Sequence, residues 1–154
     1  MWQNRLPARV QRRAFSVGIY AVHDDAVLLV HHKRLAKWLP VGGECEANET
    51  PLEAARRELF EETGLEGDFG LPAAHGVDGT PGALLAYEEH EAGSKGLHLN
   101  FNFACRVPSR AVRSDGSFSD ARWVGAKDLD ALGMPANVRA CARLALEATK
   151  ARKA

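Results

Sequence analysis

Between Leu39 and Leu65 the chain reads LPVGGECEANETPLEAARRELFEETGL, a glycine pair feeding a helix whose two ends are marked in the sequence. Thr50 is placed to cap the first turn. Pro51 takes the first helical position, where a missing N–H costs nothing, and Glu53 sits three residues on from Thr50 to close a capping box. Gly64 can adopt the left-handed conformation that closes helices. These marks predict a helix over about 51–63.

At about 100° per residue, Leu52, Ala55, Leu59 and Phe60 fall on one side of that helix as an anchoring stripe, and Ala54 helps sustain it. Glu58, Glu61 and Glu62 gather on an adjacent flank. Like charges at i,i+3 and i,i+4 spacing repel, and in the C-terminal half of a helix the macrodipole disfavours anions. Local stability would not choose this arrangement. A solvated acidic face partnered by Arg56 and Arg57 is one reading. Beside it stands Gly42-Gly43, whose backbone can approach other groups closely, and that juxtaposition favours a divalent-cation site.

Gly43 to Leu65 also fits, at every specified position, the 23-residue pattern Gly-x5-Glu-x7-Arg-Glu-U-x-Glu-Glu-x-Gly-U, with U aliphatic. The run resembles the signature of the Nudix hydrolases, enzymes that cleave a nucleoside diphosphate linked to some other group X. The resemblance implies an α/β fold, an α/β/α sandwich around a mixed β-sheet. It further implies that the Gly42 carbonyl completes a metal site formed by Glu58, Glu61 and Glu62, with Arg57 holding the glutamates in place and Glu49 fixing the loop to the helix. Mg2+, a hard cation taking oxygen ligands, is the natural occupant, and Mn2+ could take its place. The implied chemistry is hydrolysis: the metal ions neutralise the diphosphate and lower the pKa of a water, which attacks phosphorus. Glu58 or Glu61 would accept its proton, or an acidic residue from outside the signature, for which Glu88, Glu89 and Glu91 are candidates. An exposed acidic hairpin loop is the competing reading of that second cluster.

With 154 residues, 45% of them hydrophobic and 26% charged, the chain can bury an ordinary core. One domain over 1–154 is expected. Twenty basic and twenty acidic residues balance to zero, so no global charge favours nucleic acid or a membrane surface. Arg5, Arg9, Arg12 and Arg13 make a local basic stretch without the apolar run of a signal peptide. No segment approaches the length of a membrane span. Cys45, Cys105 and Cys141 are odd in number and lack metal-type spacing, which suits reduced thiols in a cytoplasmic protein. A monomer or homodimer is expected.

Outside the signature, Phe15 to Val22 and Ala26 to His32 read as a hairpin pair of strands, and Ala83 to Tyr87 and Leu97 to Val107 as another. Ala121 to Val124 reads as a short strand, and about 135–150 as a final helix. In Leu97 to Phe103, Leu97, Leu99, Phe101 and Phe103 alternate with His98, Asn100 and Asn102. The apolar set is expected to face the core. The polar set would meet water or line a cleft beside the acidic helix, where it could contact substrate. His32, Arg34 and Trp38, with His31 and Lys33, form a second candidate set, with cations for phosphates and an indole that either stacks on a base or packs in the core. Trp123 resembles a structural position of the family.

A small nucleotide derivative, of nucleoside triphosphate or nucleotide sugar type, is the expected substrate. Specificity is assigned to loops at about 67–82, 88–96 and 108–119. A non-catalytic Nudix-like nucleotide sensor is the main alternative, disfavoured by the intact glutamates. An isopentenyl diphosphate isomerase role is weaker still, because no cysteine and glutamate stand in the arrangement it needs.

Overall fold

A computed structural model describes residues 11–73 and 76–150. Arg5 and Arg9 of the basic stretch lie outside them, as do residues 74–75 of the first variable loop. The chain forms β1 (Arg13–His23), β2 (Ala26–His32), β3 (Lys37–Leu39), β4 (Val41–Glu44), α1 (Pro51–Thr63), β5 (Leu84–Glu91), β6 (Leu97–Arg106), β7 (Phe118–Gly125) and α2 (Ala136–Ala148).

All seven strands share one mixed sheet. β1 lies at its centre, parallel to β6 along its whole length, from Arg13 opposite Leu97 to Val22 opposite Arg106. Its other edge is divided. Ser16–Ile19 pair with β4 in antiparallel fashion, and Val22–His23 turn through Asp24 (φ 56°) into β2. β2 then pairs with β3 and β7, and β5 closes the far side against β6.

A helix packs on each face. Successive strand residues point to opposite sides, so register sorts the residues. Val17, Gly43 and Phe101 share one face, and a Cβ on Gly43 would overlap Glu58 of α1. Ser16, Asn100 and Glu88 share the other, where Asn137 of α2 donates to Glu88. The α/β/α arrangement expected from the sequence is therefore present.

The ends of α1 follow their markings. Thr50 accepts from the Glu53 amide, Glu53 accepts from the Thr50 amide, and Gly64 ends the helix at φ 75°. Its anchoring stripe differs from expectation: Leu52 is only partly buried, Thr63 joins the stripe and Phe60 leaves it. Ala54, Ala55, Leu59 and Thr63 are buried, while Phe60 is 48% exposed. Phe60 stands one residue from Leu59, about 100° around the helix, and that rotation carries it off the sheet. Among the described residues no helix is long and apolar enough to cross a membrane.

Candidate active site

Arg57 organises the acidic flank of α1. Its Nε and Nη2 donate to Glu49 at 2.7 and 2.9 Å, and Nη1 donates to Glu58 and Glu61, each at 3.0 Å. Nη2 also reaches the Glu44 carbonyl at 3.2 Å, tying α1 to the end of β4. Glu49 in turn accepts from the Glu46 amide at 2.9 Å, so it fixes the loop to the helix. A guanidinium offers five donors in a rigid fork; a lysine could not span these partners.

Glu62 has no arginine partner in the cluster. It accepts from the Gly42 amide at 2.8 Å, which places Gly42 beside the carboxylates. Burial and the neighbouring charge of Glu58 push its carboxyl up to about 8, against the lowering effect of that amide. Burial likewise raises Glu58, partly offset by Arg57. Both shifts record negative charge held out of water without full compensation.

The donor set fits a divalent cation. Three carboxylates lie on one helix flank against a glycine pair, all hard oxygen ligands of the kind magnesium takes. Gly43 has to be glycine for Glu58 to reach this position, since any Cβ there would occupy the space of the carboxylate. The side chains are drawn onto Arg57 and Gly42 rather than onto a common point. Among the described residues no three metal-ligating side chains stand gathered in ligating geometry.

Next to the cluster lies a polar cleft of about 490 Å³ lined by Arg12, Glu44, Glu46, Arg57, Glu58, Ser94 and Lys95. Arg12 holds Glu44 with two nitrogens, at 2.7 and 3.0 Å, and Nε2 of His98 meets the same carboxylate at 3.0 Å. These contacts hold the Glu44 carboxyl down at about 2, the Arg12 hydrogen bond first among them. His98 is not itself part of the lining but supports Glu44, which is.

Asn100 and Asn102 stand outside the cleft. They are 7% and 1% exposed and point to the face under α2, away from the acidic helix. Both amides donate to Glu88, at 3.2 and 2.7 Å, and Ser16 donates to Asn100 at 2.7 Å. The alternation along β6 is as expected, but its apolar residues are less buried than its amides: Leu97, Leu99 and Phe101 are only partly covered. The amides can be buried because each finds a partner. On the opposite face Phe15 is 55% and Tyr87 48% exposed, both against the Phe101 ring.

Glu88, Glu89 and Glu91 belong to strand β5, not to a loop, and each is engaged. Glu88 binds three amides, Glu89 accepts from the Tyr87 hydroxyl at 2.6 Å, and Glu91 accepts from Gln11. The remaining candidates sit on the β2–β3 hairpin. His32 accepts from the Leu35 amide at 3.2 Å, and burial with the fields of Arg34 and Lys95 lowers its imidazole below the ordinary range. Trp38 packs against the core, with the His31 ring 5.1 Å from its own and the Arg122 guanidinium 5.0 Å from its centroid. Trp123 donates to the Arg110 carbonyl at 3.2 Å. Sequence reasoning missed Arg12, Ser94 and Lys95 as parts of the cleft.

Known proteins share this fold. Residues 12–144 match the NUDIX domain, a span that takes in the whole sheet and the entire carboxylate cluster, so the chain belongs to the NUDIX family. A solved NUDIX-family hydrolase from Clostridium perfringens superposes with a TM-score of 0.80 at 27% identity, over 90% of this chain and 99% of that one. The RNA pyrophosphohydrolase of Halorhodospira halophila is 36% identical over 116 residues, 74% of this chain and 49% of the relative. The bovine (Bos taurus) diphosphoinositol polyphosphate phosphohydrolase 3-beta is 38% identical over 65 residues, 42% of this chain and 40% of the relative. The matches therefore span at most about half the length of these curated relatives.

Proposed function

We propose that this protein is a Mg2+-dependent pyrophosphohydrolase that cleaves the diphosphate linkage of a small nucleotide derivative, of nucleoside triphosphate or nucleotide sugar type, by attack of water on phosphorus. The observation that carries this reading is the Arg57 fork, which holds Glu49, Glu58 and Glu61 together beside Gly42, Gly43 and Glu62. The names of the two curated relatives share phosphohydrolase chemistry and differ in substrate, which agrees with a common site and divergent recognition.

Bound at Glu58, Glu61 and Glu62, with Gly42 beside them, Mg2+ would neutralise the diphosphate and make water a better nucleophile. The protein's own residues do the rest. Arg57 keeps two of the carboxylates at fixed positions, so little reorganisation is needed during reaction. Glu58 or Glu61 takes the proton of the attacking water, both being held beside the site by Arg57. Glu88 is unsuited to that role, being committed to three amides on the other face of the sheet. Arg34 offers a cation on the β2–β3 hairpin for a phosphate, His32 beside it offers a neutral imidazole, and His98 supports Glu44 of the cleft.

The test is release of phosphate or pyrophosphate from nucleoside triphosphates, nucleotide sugars and dinucleoside polyphosphates, in Mg2+ and in chelator. Turnover should require the metal and fall at least ~100-fold in Glu61→Gln, the size expected for losing a major electrostatic stabiliser. Undiminished turnover in that variant would overturn the site. Tight nucleotide binding without turnover would favour the sensor.

A further inference from the structure

The cleft beside the carboxylates contains three cations and three anions, and they are not evenly matched. Arg12 is committed to Glu44, and Arg57 to Glu49, Glu58 and Glu61, with Glu46 3.7 Å away. Among the described residues Lys95 alone of the cleft cations has no carboxylate within ion-pair distance of its amine. Its backbone, by contrast, is tightly held. Arg12 donates to the Lys95 carbonyl at 2.7 Å, the Lys95 amide donates to Ala92 at 3.1 Å, and the Leu97 amide donates to Arg12 at 2.8 Å. Gly96 follows at φ 84°, packed so closely on the Arg12 carbonyl that no side chain would fit. The fold therefore fixes the turn that carries Ser94 and Lys95 over the cleft and leaves the ammonium unspent.

We propose that Lys95, with Ser94 beside it, binds a phosphate adjoining the anhydride that is cleaved, and so makes this protein selective for substrates with a chain of three or more phosphates over those whose second group is an uncharged sugar. The proposal rests on the hydrolase reading and narrows its substrate class. Lys95 has three rotatable donors and suits a phosphate as a point charge. Arg12 acts through the turn as a positioning residue. A divalent cation at Glu58 would leave the cleft net positive, which raises the demand for a polyanion.

Two measurements decide it, each on wild type, Lys95→Ala and Lys95→Arg with Mg2+ present. In steady-state kinetics, Lys95→Ala should raise KM for a nucleoside triphosphate about 10-fold, a size within reach of one lost hydrogen bond to a charged group. Its kcat, and its KM for a nucleotide sugar, should stay within about twofold, and Lys95→Arg should recover most of the loss. In calorimetry, inorganic tripolyphosphate should bind Lys95→Ala about 10-fold more weakly than wild type. Lys95 is exposed, so the variant should melt with wild type. Equal effects on both substrates, or unchanged tripolyphosphate binding, would overturn the assignment. A wild-type protein that hydrolyses nothing would sink the hydrolase reading, while the binding comparison would still decide the role of Lys95.

Discussion

Glu62→Gln should make the metal-free protein more stable at pH 8 while removing its activity. Glu62 is mostly buried and its carboxyl sits at about 8, against 4.5 unperturbed. Because the folded value is the higher, the folded state binds the proton more tightly than the unfolded chain between these limits. Stability is therefore full below about pH 4.5 and falls as pH rises towards 8. At 1.36 kcal/mol per pH unit, the difference of 3.5 between the two values sets a ceiling of about 5 kcal/mol, and relaxation of the loop would reduce it. Glu58 is raised too and pulls in the same direction. His32 is lowered and pulls the opposite way near its ordinary range, while Glu44, Glu49 and Glu88 are lowered and act below pH 4.5. Subtracting the variant from wild type isolates Glu62. A glutamine keeps an acceptor for the Gly42 amide and has no charge to desolvate. Urea denaturation in chelator from pH 5 to pH 8.5 should show wild type losing more stability than Glu62→Gln, the two separating by about 1–5 kcal/mol at the alkaline end. Mg2+ should restore the wild type and not the variant. Parallel curves, or a variant less stable than wild type at pH 8, would refute the electrostatic account.

Leu59→Ala, at a side chain with no exposure, should cost about 2–5 kcal/mol in urea denaturation by opening a cavity under α1, with no dependence on chelator. Gly43→Ala should displace Glu58 and depress turnover at least ~100-fold, while circular dichroism still reports a folded protein; near wild-type turnover would show that the close approach is dispensable. Asn102→Ala should lower stability by about 1–3 kcal/mol, because it strips a 2.7 Å hydrogen bond from the partly buried Glu88, and it should leave KM within about twofold. A large KM change with unaltered melting would return the amide to the substrate.

The helix and its site were legible because their signals are local. Thr50, Pro51, Glu53 and Gly64 each act within one turn, and the observed bounds are the expected ones. The roles of Arg57 and Glu49 came from the family resemblance rather than from a local signal: Glu49 precedes the helix, Arg57 stands in its middle, and the structure joins them at 2.7 Å. The errors came where two distant segments decide. Hydrophobic alternation on β6 gave the register but not the direction. Which face is dry depends on what packs there, and α2 brings Asn137 to a carboxylate that already gathers two buried amides. The Lys95 cleft depends on β1 lying parallel to β6, which sets Arg13 opposite Leu97 and brings Arg12 to a turn 83 residues away. No short-range pattern encodes that pairing.

The charge arithmetic of α1 explains why a helix with unfavourable local electrostatics is kept. Arg57 saturates its fork on Glu49, Glu58, Glu61 and one carbonyl, so one positive charge faces three carboxylates. Glu62, the fourth, has only the Gly42 amide and is held near neutrality by burial. A second arginine in its place would quench the repulsion and stabilise the metal-free protein, but it would also fill the space and cancel the charge that a cation needs. What remains is a deficit that a small divalent cation, as proposed above, would correct. Stability surrendered in the metal-free state reappears as affinity for whatever neutralises the cluster, since any ligand that binds only the folded form shifts the folding equilibrium by its own binding free energy.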